Sequence, residues 1–118
     1  MMFNWQEYQQ QLLANIAEIG KISPEIVRGY RGLSDAGKKT AVLDAKTREL
    51  IALAVAVTRQ CDGCITIHTN AALKEKATRE EIVEALGVAI AVNAGAALVY
   101  SARVMDAYVA INKTENNV

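Results

Sequence analysis

Glu49-Leu-Ile-Ala-Leu-Ala-Val-Ala-Val-Thr-Arg-Gln-Cys-Asp-Gly-Cys-Ile-Thr-Ile-His68 decides how the chain is read. The stretch opens on a carboxylate at the edge of an apolar run and holds both cysteines and the only histidine. Cys61 and Cys64 form a Cys-x-x-Cys pair, His68 follows four residues after Cys64, and Glu49 lies twelve before Cys61. Just upstream, Asp44 can cap a helix running to about Gln60, its side chain accepting from an unpaired amide of the first turn. From Leu50 to Val57 that helix is apolar on every face, which places it at the centre of the molecule. A second helix begins at or near the Cys-x-x-Cys and runs to about Glu75, with Lys74 and Lys76 at the end where positive charge suits the helix dipole.

Working outward, residues 4–19 carry Trp5, Tyr8, Leu12, Leu13, Ile16 and Ile19 at helical spacing, with Gly20 as the expected stop. Ser23-Pro24 starts another helix, because proline at the first helical position has no amide hydrogen to leave unpaired. That helix is expected to reach about Arg31 and end at Gly32, and a short one opened by Ser34 to cover 34–41. Thr78-Arg-Glu-Glu81 has the capping-box pattern and opens a further helix. This one is expected to weaken near Asn93-Ala-Gly95, leaving a last helix from Ala96 to Ile111 and a polar tail from Asn112. The reading is a single all-α domain over residues 1–118 with its core in 42–111, a compact bundle of five to six helices around a buried central hairpin. The rival is a strand over Ala52–Val57 leading into a Cys-x-x-Cys helix, as in thioredoxin-like proteins. That fold places a cis-proline beside its thiols, downstream in sequence, and no proline follows Pro24.

Composition narrows the function. Thirteen basic residues balance thirteen acidic ones, so nothing draws the chain to nucleic acid or anionic membranes. Two cysteines are too few for a disulfide-stapled scaffold, and Met-Met-Phe-Asn-Trp-Gln-Glu lacks the pattern of a signal peptide. No uninterrupted apolar stretch reaches the roughly 18 residues of a spanning helix. The nearest, Ala85 to Tyr100, is interrupted by Gly87, Asn93 and Gly95. A cytoplasmic protein follows, and there a Cys-x-x-Cys is catalytic or metal-binding rather than structural. Helices 44–60, 78–92 and 96–111 are each apolar on more than one side, and burial in an oligomer is the simplest outlet.

On a helix, Cys61, Cys64, Ile65, His68, Ala71 and Ala72 share one face. Cysteines three apart close a disulfide when the first lies at or just outside the helical end. The free amides and positive dipole end there stabilise a thiolate. His68, one turn beyond Cys64, is placed to accept its proton. In an exact antiparallel hairpin Glu49 lies roughly one turn beyond His68, a gap that a crossing angle or one bridging water closes. Glu49 then orients the imidazole or relays its proton. Other readings stay open: two buried small apolar cysteines, a satisfied core histidine, a Glu49 paired with Lys46 or Arg48, or a zinc site from all four side chains, although the second Cys or His pair of common structural zinc sites is missing. The same pair could also serve a redox sensor that switches an interface.

Glu49, the apolar run after it, Cys61-x-x-Cys64-x-x-x-His68 and Thr78-Arg-Glu-Glu-Ile-Val-Glu-Ala-Leu86 together resemble the carboxymuconolactone decarboxylase family, in its alkyl hydroperoxidase D-like branch, over about residues 42–110. The resemblance implies an all-helical fold assembling into trimers or hexamers. It implies thiol-dependent reduction of hydroperoxides without haem, flavin, metal or other cofactor. By position, Cys64 is the thiol that peroxide attacks, Cys61 resolves the sulfenic acid into a disulfide, and His68 with Glu49 forms the proton relay. An external dithiol, lipoyl or thioredoxin-like, is the implied reductant. Two positions depart from the pattern: Gly63 stands where the best-known peroxidases of the branch carry a second histidine, and Lys76 where a helix-ending glycine is common.

Overall fold

The computed structural model describes residues 1–116. Five helices follow one another: α1 (Trp5–Ile22), α2 (Pro24–Thr40), α3 (Ala45–Arg59), α4 (Asp62–Lys74) and α5 (Arg79–Asn116). Among the described residues there is no strand. Ala52–Val57 is a turn and a half of α3, so the thioredoxin-like alternative falls. The expected all-α bundle is present, with five helices.

Three helix starts follow the sequence signals. The Asp44 carboxylate accepts from Thr47 N at 2.7 Å, and this bond holds its pKa below the usual carboxylate value. Thr78 and Glu81 cap one another: Thr78 Oγ1 accepts from Glu81 N at 3.1 Å and Glu81 Oε1 accepts from Thr78 N at 2.9 Å. Pro24 opens α2 as its first residue. Lys46 Nζ reaches Glu81 Oε2 at 2.8 Å, tying the first turn of α3 to that of α5. The pair raises the Lys46 pKa and lowers that of Glu81.

Several expected helix ends are overturned. α1 passes Gly20 and stops at Ile22, ahead of the proline. Gly20 lies where a Cβ would come 3.3 Å from Val27, so it serves the α1–α2 contact rather than a turn. α2 passes Gly32 and absorbs the segment assigned to a separate helix over 34–41, ending at Thr40 with Ala41 as its cap at φ 52°. α5 runs without interruption through Asn93-Ala-Gly95. Asn93 does not unsettle it, because its Nδ2 donates to Ala89 O one turn back and to Thr58 Oγ1 on α3, both at 2.8 Å. Unbroken, α5 contains an 18-residue window of mean hydropathy 2.0 and is long and apolar enough to cross a membrane by length and composition.

The core is small and lies where α3, α4 and the first half of α5 meet. Leu53, Ala72 and Ala77 are buried there, with Leu50 and Ile82 packed against them. α1 lies on α4, and α2 lies on α1. The remainder extends outward: the radius of gyration is 20.5 Å, against about 13–14 Å for a compact globule of this length.

Candidate active site

The site is built at the turn between α3 and α4. α3 closes on Gln60 in the left-handed conformation, φ 53°, with Gln60 N and Cys61 N bonding back to Val57 O and Ala56 O. This turns the chain so that Cys61 becomes the residue capping α4, its Sγ accepting from Cys64 N at 3.2 Å. The two sulfurs are joined as a disulfide, with Cα atoms 5.3 Å apart. The first cysteine thus sits just outside the helix and the second inside its first turn, the arrangement a three-residue spacing requires.

Glu49 meets His68 directly. Its Oε2 lies 2.7 Å from Nδ1, so the hairpin itself closes the one-turn gap and no bridging water is needed. A carboxylate can only accept, so Nδ1 carries the hydrogen and Nε2 is the nitrogen left free to take a proton. Both side chains are about three-quarters buried, at 24% and 23% exposure. The surface ion pair weighed for Glu49 is not formed, since Lys46 turns to Glu81 and Arg48 Nη1 donates to Leu43 O. Directly behind the contact on α3, one and two turns on, Leu53 and Ala56 are buried, Leu53 in one cluster with Ala72 of α4. The arrangement therefore offers a sulfur pair at a helix start, an imidazole one turn along, and a carboxylate fixing the tautomer of that imidazole. Among the described residues, no three His, Cys, Asp or Glu side chains are arranged to hold a metal ion.

Two features escaped the sequence reading. Gln9 on α1 accepts from Asn70 Nδ2 at 2.6 Å and from Thr66 Oγ1 at 3.4 Å, fixing α1 against α4. Beside this network Trp5, Ile65 and Thr69 line a cleft of about 360 Å³. Nothing local in sequence signals a pairing between residues some sixty apart. The second is the reason for Gly63. A Cβ there would come within 2.8 Å of Leu12 Cδ2, so the space a side chain would need beside this position is filled by α1. Gly63→Ala is expected to leave the melting temperature within a few degrees, because the Leu12 tip can turn aside and alanine favours helix by about 1 kcal/mol. Gly63→His is expected to push α1 off α4 and lower the melting temperature clearly. Thermal denaturation of the two variants checks both outcomes. Lys76 takes φ 61°, with Ala77 N bonding to Ala72 O at 3.0 Å, so the turn that commonly uses glycine forms here on a lysine.

Fold and site define an all-helical protein with a redox-capable cysteine pair beside a carboxylate-held imidazole. The sequence pattern of the carboxymuconolactone decarboxylase family matches residues 24–107, and the chain belongs to that family. It is 46% identical over 108 residues to an uncharacterized protein of Haemophilus influenzae, covering 92% of this chain and 96% of that one. An uncharacterized protein of the cox locus of Paracoccus denitrificans is 38% identical over 88 residues, 75% of this chain and 79% of its own. The crystal structure of an apo carboxymuconolactone decarboxylase family protein from Legionella pneumophila superposes with a TM-score of 0.71 at 38% identity, covering 88% of this chain and 93% of that one.

Proposed function

We propose that the protein is a thiol-dependent peroxidase and disulfide oxidoreductase that reduces hydroperoxides through Cys61 and Cys64. The observation that carries this reading is the 2.7 Å contact between Glu49 and His68, one helical turn from the sulfur pair. In the reduced protein the Cys64 proton passes to His68 Nε2, and Glu49 stabilises the imidazolium that results. The thiolate attacks the terminal oxygen of the hydroperoxide. An S–O bond forms, the O–O bond breaks, and the departing alkoxide takes the proton from His68 to leave as an alcohol. Cys61 then attacks the Cys64 sulfenic acid; the S–O bond breaks and water leaves with the Cys61 proton. The resulting disulfide is the state seen in the structure.

An external dithiol completes the cycle. One of its thiolates opens the disulfide to a mixed disulfide, and its second thiol closes on the first, returning both protein thiols reduced. The cycle uses sulfur and protons alone, and we place it in the cytoplasm, where dithiol reductants are maintained. One equivalent of hydroperoxide added to the reduced protein is expected to remove both free thiols together, and one equivalent of dithiol to restore both. Loss of one thiol only, or of neither, would overturn the reading.

A further inference from the structure

The cleft between α1 and α4 has no part in the chemistry described so far. It holds about 360 Å³, the lower end of what small-molecule sites use. One wall is α4, through Ile65 and Thr69, and the other is the start of α1, through Trp5, Gln6 and Gln9. The family pattern begins at residue 24, so α1 lies outside the part of the chain that it describes. This added wall is held in place. Trp5 makes edge-to-face contacts with Phe3 and Tyr8, ring centroids 5.3 and 6.4 Å away. Behind it, Gln9 is bonded to Asn70 and Thr66, and Leu12 is seated over Gly63.

The cleft runs on from the sulfurs. Cys61, Ile65 and Thr69 fall four residues apart and form one row along α4, with Ile65 about 6 Å of helix beyond Cys61. Because Cys61 and Cys64 are joined, both sulfurs stand at the head of this row. A molecule reacting at Cys64 therefore has room for a substituent along Ile65 and against Trp5.

The lining selects that substituent. None of the residues that line the cleft is ionisable. The Trp5 ring, the Ile65 side chain and the Thr69 methyl offer carbon. Gln9 Oε1 is spent on Asn70 and Thr66, whereas the Gln6 amide and the Thr69 hydroxyl make no hydrogen bond among the described residues and are left for a neutral polar atom. A carboxylate entering here would lose its water with no cation in the lining to meet it. A partner helix, about 10 Å across with its side chains, is too large for this volume. We infer that the cleft receives the uncharged organic part of the hydroperoxide, and that Trp5 sets a preference for such substrates over hydrogen peroxide. The inference rests on the peroxidase reading above and adds to it a specificity element built from a helix that the family pattern does not include.

Trp5 is the only tryptophan, so its emission reports on the cleft without any redox step. Titration of the oxidised wild-type protein with 2-phenyl-2-propanol, the alcohol that cumene hydroperoxide yields, is expected to change that emission to saturation. In the reduced protein, cumene hydroperoxide is expected to remove the thiols faster than hydrogen peroxide does. Trp5→Ala is expected to lower the ratio of those two rates about tenfold, the size of a lost apolar contact, and Trp5→Phe to keep most of it. Thr69→Lys, on the opposite wall, is expected to raise the rate for para-carboxylated cumene hydroperoxide several-fold relative to the uncharged parent. An emission that responds only as free N-acetyltryptophanamide does, or rate ratios equal in the wild type and Trp5→Ala, would overturn the inference and leave the peroxidase reading standing. Thiols that neither hydroperoxide removes would overturn that reading, and the inference with it. If Trp5→Ala does not fold, the wild-type titration and Thr69→Lys decide, and a carboxylated substrate that gains nothing overturns the inference.

Discussion

Cys64→Ser is expected to bring dithiol-supported hydroperoxide turnover down to the uncatalysed background, whereas Cys61→Ser is expected to stop after a single event. The asymmetry follows from the two positions. Cys64 is in register with His68, four residues along the same helix, and is the sulfur whose proton the imidazole can take. Serine there leaves a hydroxyl that attacks peroxide negligibly at neutral pH. Cys61 is the capping residue of α4, and serine is itself a preferred cap, so its hydroxyl can take over the bond from Cys64 N. The helix start is preserved while the resolving sulfur is gone. Cys61→Ser is therefore expected to consume one equivalent of peroxide and hold a sulfenic acid at Cys64, detectable by dimedone labelling and mass spectrometry. Turnover surviving in Cys64→Ser, with dimedone found on Cys61, would reverse the roles and make the capping sulfur the nucleophile.

For Glu49→Gln the expected effect is a fall of about 10–100-fold in kcat/KM for the hydroperoxide, within the range that general acid–base groups supply. Glutamine keeps the length of the side chain and its amide oxygen can still accept from Nδ1, so orientation is largely retained. What it loses is the negative charge beside the imidazolium that forms when Cys64 gives up its proton. Glu49→Ala is expected to be worse on two counts. It frees the ring to rotate, and it leaves a largely buried Nδ1–H unpaired at about 1–3 kcal/mol. Steady-state rates for the two variants at several pH values, together with their melting temperatures, check this ordering. A Glu49→Gln rate equal to that of the wild type would remove the carboxylate from the mechanism and leave it a structural tie between α3 and α4.

Much of this site was legible because its parts lie on two helices joined by a minimal turn. Glu49, Cys61, Cys64 and His68 span twenty residues, and helical rise alone brings the first and last within a turn of each other. The caps at Asp44 and Thr78 were legible for the same reason, since each bonds an amide three residues away. The helix ends were not. Glycine was read as a stop at Gly20 and Gly32 and as part of a weak point at Asn93-Ala-Gly95, yet no glycine among the described residues has positive φ. The left-handed positions fall on Ala41, Gln60 and Lys76. Glycine only permits such a turn; whether one forms depends on what the chain packs against next. At Gly20 and Gly63 the missing side chain instead makes room for Val27 and Leu12, a tertiary demand with no local mark. The Gln9–Asn70 contact was hidden in the same way.

The sulfur of Cys61 already receives an amide hydrogen in the oxidised protein. A thiolate in the same place is a better acceptor for that hydrogen, so electrons can enter and leave the pair without unwinding the helix behind it. On the proposed cycle, such a centre changes oxidation state with little call for backbone rearrangement.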